Sequence, residues 1–199
     1  MCVFVTQQLI LQPLVESPRT NNTAAFIVQP MTIPERIRPQ SLADYFEIMT
    51  RAVFQAGVSW KLVESKWEAF REVFANFDPQ RVAAFEENDI DSLMQDSRIL
   101  RSKKKIEGTI KNARTILDLE REFGGFKNYL RSKSSYEQLS ADMRKRFKYV
   151  GELSVYYLLF RVNEKVPPFE EWITTVEGDH PRMKEMIDLA RTKDPLAAR

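Results

Sequence analysis

Residues 41–60 read SLADYFEIMTRAVFQAGVSW. Tyr45, Phe46, Ile48, Met49, Ala52 and Val53 recur there at three- and four-residue spacing, the period that puts apolar side chains on one face of an α-helix. Ser41 precedes the run and Asp44 follows it by three residues. This pair predicts the helix start, because a serine and an acid so spaced satisfy amides that the first turn leaves without partners.

Working outward toward the C-terminus, a second helix is predicted from Trp60 to Phe74. Leu62, Val63, Trp67, Phe70 and Phe74 would share its buried face, and Lys61, Glu64, Lys66, Glu68, Arg71 and Glu72 would mostly face water. Asp78 before Pro79 restarts the chain as a cap with proline in the first turn, where a missing amide costs nothing. Asn88 is read as introducing a helix over Asp89 to Met94. A turn at Ser97 to Leu100 leads into a long helix with Ile106, Ile110, Ala113, Ile116 and Leu117 as its seam, ended by Gly124 and Gly125. Shorter helices are expected near Phe126 to Leu130, Tyr136 to Arg146 and Val150 to Val162. Pro167 and Pro168 then redirect the chain toward a last helix around Arg182 to Ala190. Toward the N-terminus, Pro13, Pro18, Pro30, Pro34 and Pro39 break any long helix, so residues 1–40 are expected to be an extended arm. Strand-like stretches lie at Val3 to Thr6 and Ala25 to Val28. The division is therefore an arm over 1–40 and a mostly α-helical domain over 41–199.

The chain has 199 residues, is 43% hydrophobic and carries thirteen Phe and six Tyr, enough for one domain with a sizeable core. Its net charge of +2 decides nothing about polyanionic partners, but the distribution is informative. Arg98, Arg101, Lys103, Lys104, Lys105, Lys111 and Arg114 stand against the single acid Glu107, and Arg144, Lys145, Arg146 and Lys148 form a second basic run. The only cysteine, Cys2, excludes an intramolecular disulfide framework, and no uncharged apolar run of about 18 residues occurs. An intracellular protein with no membrane partner is expected, cytoplasmic and associated with the nucleoid when bound to DNA in a bacterium.

Several of these segments share an order with a known family. Residues 43–49 (ADYFEIM), 54–60 (FQAGVSW) and 67–79 (WEAFREVFANFDP) resemble three consecutive motifs of the DNA 3-methyladenine glycosylase I family. The likeness continues through Val82 to Phe85, Leu93 to Asp96, Ile99 to Ile106 and Asn112 to Arg114. It resumes at Arg146 to Glu152 and spans roughly 41–165. The family belongs to the helix-hairpin-helix DNA glycosylases, so the resemblance implies that helical fold and double-stranded DNA with a damaged base as partner.

Residue by residue, the resemblance implies that Trp60 lines a pocket for an extruded methylated purine, with Gln55 and Ser59 as polar neighbours and Gly57 allowing close backbone approach. Read without it, Trp60 equally suits a core anchor between the first two helices. Phe147 to Leu153 would be the hairpin and the start of its second helix. Gly151 there would open amides to a phosphate, and Lys103, Lys104, Arg146 and Lys148 would add phosphate contacts. The plainer readings are a glycine that merely joins helices and a charge run that keeps a helix soluble. Counting about twenty residues on from Gly151 reaches Glu171, beside Glu170, a candidate carboxylate to support departure of the base. An exposed acid at a helix start is the alternative. Asp179 and His180 read as an acid–base pair or as a cap of the last helix.

The sequence also departs from the family. Ala52 stands where the family carries a glutamate that hydrogen-bonds the base, and alanine can do neither part of that work. The family's early histidine-containing motif has no match near Pro30 to Pro39. Of the two cysteines and two histidines of its metal site this chain has Cys2 and His180 alone, with Lys165 near the late histidine position, so no metal and no cofactor are expected. The reading that results is a DNA glycosylase-like repair protein that binds damaged duplex DNA and hydrolyses the N-glycosidic bond of an alkylated base, with weak or no excision of 3-methyladenine expected. A noncatalytic DNA-binding module and a helical protein-interaction domain are the alternatives.

Overall fold

The computed structural model describes residues 36–177, and among them are ten α-helices and no strand. Most of the arm, with Val3 to Thr6 and Ala25 to Val28, lies outside the described residues, as do Cys2, Asp179, His180 and the helix expected near Arg182.

Helix α1 (Leu42–Gln55) starts as its spacing predicts: Asp44 accepts from the backbone N–H of Ser41 at 2.9 Å and of Gln40 at 2.7 Å. Its apolar face is buried through Phe46, Val53 and Phe54, each fully enclosed and each contributing roughly 1.5–3 kcal/mol by leaving water. That face makes α1 the central element, packed on the long α6 (Lys103–Phe123) and on α9 (Glu152–Arg161).

The single helix expected from Trp60 to Phe74 is instead two, α2 (Trp60–Ser65) and α3 (Trp67–Val73). Lys66 leaves helical geometry at φ −108°, ψ 1°, and its ammonium is held by the carbonyls of Ser97 and Arg98, both at 3.1 Å. The break re-aims α3 so that Trp67 and Phe70 enter the core, while Leu62, expected on the same face, remains 43% exposed. Trp67 stacks on Phe70 and on Phe77, both at 5.2 Å between centroids. Phe77 reaches that position through a left-handed turn in which Ala75, Asn76 and Phe77 have φ of 53°, 55° and 56°.

Asp78 caps α4 (Pro79–Ala83), accepting from the Gln80 amide at 2.9 Å with Pro79 in the first turn. Helix α5 (Glu87–Gln95) is capped by Glu86 and not by Asn88, because Asp89 reaches back to the Glu86 amide at 2.8 Å and so moves the start earlier. Gly124 ends α6 at φ 64°, a left-handed conformation open to glycine at little cost. Then come α7 (Phe126–Leu130), α8 (Tyr136–Arg146), the turn 147–151, α9, and α10 (Phe169–Trp172). The expected seam of α6 is corrected at its end: Leu117 is only partly buried, and Leu119, not expected there, is fully buried.

Candidate base-binding and nucleic-acid site

After α1 ends at Gln55, a turn closes with the Val58 amide on the Gln55 carbonyl at 3.2 Å, and Gly57 sits at φ 72°. A Cβ on Gly57 would meet nothing, so its backbone angle and not crowding calls for glycine. The turn delivers Trp60 as the first residue of α2. Its indole is partly buried, edge-on to Tyr157 of α9 at 6.0 Å and 70°. Trp60 thus packs on the core and also keeps part of its surface accessible. Ser59 is exposed and its hydroxyl makes no cap bond, whereas Gln55 is only 7% exposed. Ala52 lies one turn back on α1 and is 6% exposed, its methyl group offering neither a donor nor an acceptor.

Charge near this corner is organised by residues whose roles are not visible in the motifs. Glu47 accepts from Trp67 Nε1 at 2.7 Å, from Arg71 at 2.9 Å and from Arg51 at 3.2 Å. Arg51 lies 4.4 Å above the Trp67 ring and also pairs with both oxygens of Glu64. Burial pushes the Tyr157 phenol above its ordinary value against the opposing charge of Arg161, which donates to its oxygen at 2.7 Å.

The turn 147–151 is pinned to α6. Asn112 accepts from the Lys148 amide at 2.7 Å and donates to the Lys148 carbonyl at 3.0 Å, so one side chain holds both polar groups of that residue. Tyr149 has φ 57° and is 51% exposed, with its ring against Gly108 in α6. A Cβ on Gly108 would lie 2.5 Å from that ring, which explains a glycine inside a long helix. Gly151 is the exposed N-cap of α9 at φ −86°, and a Cβ there would meet no atom within 4 Å. Gly151 and the first three residues of α9, Glu152, Leu153 and Ser154, line a cavity.

The three consecutive lysines of α6 have three different settings. Lys103 pairs with Glu87 at 2.7 Å. Lys105 is partly buried and donates to the carbonyls of Ala56 at 2.7 Å and Phe54 at 3.3 Å, completing the C-terminus of α1, and burial lowers its pKa. Lys104 is exposed and makes no ion pair among the described residues; it stands one turn before Gly108, on the stripe that meets the hairpin turn. Arg146 is held by Asp142 at 2.9 Å and by Glu122 at 3.7 Å, whereas Lys148 is exposed with no ion pair among the described residues.

A cavity of about 550 Å³ separates the end of α1 from the hairpin, with Val53, Ala56, Lys105, Tyr149 and Gly151 in its wall. Glu171 is exposed on α10 and lines a second cavity, of about 430 Å³, with Tyr136 and Trp172. Arg144 and Glu152, 3.4 Å apart, line both. Trp60 meets α9 at Tyr157, but Trp172, next to Glu171, stacks on Tyr156 at 3.9 Å; the two predicted site residues thus approach neighbouring faces of α9. Among the described residues no three potential metal ligands cluster, and no helix is long and apolar enough to cross a membrane.

The helical body built around α1, α6, α8 and α9 resembles that of solved 3-methyladenine DNA glycosylases, and sequence comparison agrees. The profile of the methyladenine glycosylase family matches residues 38–162, and the chain belongs to that family. DNA-3-methyladenine glycosylase 1 of Escherichia coli K12 is 34% identical over 132 residues, covering 56% of this chain and 71% of that protein. The corresponding protein of Haemophilus influenzae is 36% identical over 89 residues, covering 45% and 48%. The 3-methyladenine DNA glycosylase I of Staphylococcus aureus, solved for its recognition of 3-methyladenine, superposes with a TM-score of 0.57 at 26% identity, over 63% of this chain and 78% of that one. Trp60, Gln55, Ser59 and Gly151 fall inside the matched span, and Glu171 falls beyond it.

Proposed function

We propose that the protein is a DNA repair glycosylase that engages duplex DNA through the 147–151 hairpin and α6 and takes an extruded, weakened base against Trp60. The observation that carries this reading is the setting of Trp60: a turn requiring glycine presents an indole that is braced edge-on by Tyr157 yet still accessible. An aromatic face so held suits a base that carries positive charge. Support for the DNA contacts comes from the exposed N-cap of α9 at Gly151, with Lys148 fixed by Asn112 and Lys104 on the adjoining stripe of α6. Lys103 and Arg146 join that surface when their acidic partners yield to phosphate. Gln55 and Ser59, which flank the turn before Trp60, are the polar neighbours assigned to that base. Glu171 is the carboxylate assigned to stabilise the sugar as the base leaves.

Ala52 favours a second reading, a scaffold that recognises DNA without turnover, because its methyl group offers the base no hydrogen bond. One paired assay separates the two: duplex binding and release of free base, measured across alkylated, oxidised and deaminated lesions. Wild type is expected to prefer lesion-containing duplex and to release 3-methyladenine weakly. Trp60→Ala should remove about 1–3 kcal/mol of lesion preference while undamaged duplex binds as before. Glu171→Gln should leave binding intact and abolish whatever release occurs. Lesion preference that survives Trp60→Ala would move the base elsewhere, and lesion binding without release of any base would establish the second reading.

A further inference from the structure

Lys105 carries a nucleophile that base excision leaves unused. It lines the cavity of about 550 Å³ between the end of α1 and the 147–151 turn, among the apolar side chains of Val53, Phe147 and Val150. Lys105 is partly buried and makes no ion pair among the described residues, whereas Lys103 in the same run is exposed and paired with Glu87. Burial lowers the pKa of Lys105, which enlarges the fraction present as neutral amine. The hydrogen bonds of its nitrogen suit that form. Nζ donates to the carbonyls of Ala56 at 2.7 Å and Phe54 at 3.3 Å. An ammonium has three N–H donors and a neutral amine has two, so two carbonyls satisfy the amine fully and leave its lone pair on the remaining corner. Neither acceptor is a carboxylate, which would hold the proton more strongly.

The electrophile follows from what borders the cavity. Tyr149 and Gly151, also in its wall, belong to the turn assigned to the DNA backbone. A deoxyribose that has lost its base is in equilibrium with an open-chain aldehyde, the partner an amine nucleophile takes. We propose that Lys105 forms an imine with the C1′ aldehyde of an abasic site in duplex DNA and so cleaves the strand on its 3′ side, a lyase activity additional to base release. The proposal rests on the reading that the 147–151 turn engages duplex DNA, but it does not require this protein to have released the base. The nitrogen lone pair attacks C1′. The carbonyl oxygen takes one proton from the nitrogen and one from solvent and leaves as water, so that C1′ is doubly bonded to a positively charged nitrogen. That charge acidifies C2′: a C2′ proton passes to water, its electron pair forms the C2′–C3′ double bond, and the C3′–O bond breaks with the phosphate as leaving group. Hydrolysis of the conjugated imine then returns the free amine of Lys105 and an unsaturated aldehyde.

Duplex carrying a preformed abasic site, incubated with the full chain and sodium cyanoborohydride, tests this, because hydride reduces the imine to a stable secondary amine. Wild type should give a covalent protein–DNA adduct that peptide mass spectrometry maps to Lys105, and without reductant it should nick the strand. Lys105→Arg keeps a cation and N–H donors for the α1 carbonyls but has no available lone pair. Adduct and nicking should then fall roughly tenfold or more, while the abasic duplex binds as before. Lys127→Arg, at an exposed lysine of α7, should change neither. Thermal unfolding verifies that both variants are folded, and the mapping is made on wild type, so it does not depend on them. The proposal is overturned if wild type binds the abasic duplex without forming an adduct, if the adduct maps to another amine, or if Lys105→Arg is trapped as well as wild type. Failure of wild type to bind the abasic duplex at all, read by fluorescence anisotropy, overturns it together with the docking of DNA at the 147–151 turn.

Discussion

Glu47 and Arg51 stand four residues apart, so their pairing is visible in a helical sequence as an i, i+4 couple. Trp67 and Arg71 converge on the same carboxylate from another helix, and that is invisible, since nothing in their spacing from Glu47 says which way α3 points. Asp142 is a similar hub, accepting from Tyr129 Oη and from Arg146 Nε, each at 2.9 Å. Burial pushes its carboxyl up, but the hydrogen bonds from Tyr129 and Arg146 together outweigh this and hold it below the ordinary carboxylate value. An acid whose folded pKa is lowered contributes stability above its unfolded value, roughly 3.9, and loses it as pH falls through the folded value. Wild type should therefore exceed Asp142→Asn in urea stability at neutral pH, with the gap closing as the pH is taken below about 4. A gap independent of pH would mean that the carboxylate charge plays no part.

The long helix α6 acts as a ruler for the hairpin. Asn112 holds Lys148 and Gly108 admits the Tyr149 ring, one turn apart on the same stripe. A glycine inside a helix usually costs about 1 kcal/mol relative to alanine, so Gly108 is a visible anomaly in the sequence, though its cause is not. Gly108→Ala should destabilise by about 1–3 kcal/mol by driving a methyl group into the ring. In a Tyr149→Ala background the same change should be neutral or stabilising, since only the helix preference remains. Urea denaturation of the four proteins measures the coupling. An equal penalty in both backgrounds would show that the ring does not constrain α6. The same register explains the lysines: consecutive residues on a helix are about 100° apart, so Lys103, Lys104 and Lys105 pair with an acid, face solvent and cap α1 respectively.

For the molecule as a whole, the two basic runs of the sequence come together around the hairpin and α6, but not all of their charge is available. Lys103 and Arg146 already face acids, whereas Lys104 and Lys148 make no ion pair among the described residues. Removing Lys104 and Lys148 should lower duplex affinity irrespective of sequence and reduce the salt slope by about one unit for each phosphate no longer neutralised. Removing Lys103 and Arg146 should have the smaller effect, because each must first give up a carboxylate. Filter binding or fluorescence anisotropy across a salt series measures both, and the opposite ranking would mean that those ion pairs open on binding.

Periodicity and capping were enough to determine the start of α1, the cap at Asp78 and the glycine stop of α6, because these depend on interactions within a few residues along the chain. The order of the motifs likewise made the family legible. Tertiary structure alone decided that the helix begun at Trp60 breaks at Lys66, whose ammonium is drawn to carbonyls some thirty residues away. It also decided that Lys105 serves α1, that Trp60 is braced by Tyr157, and that Glu171 faces a different cavity from the one at the hairpin. Each of these is set by side chains meeting across helices, where packing and the pairing of buried polar groups outweigh the local preferences a sequence displays.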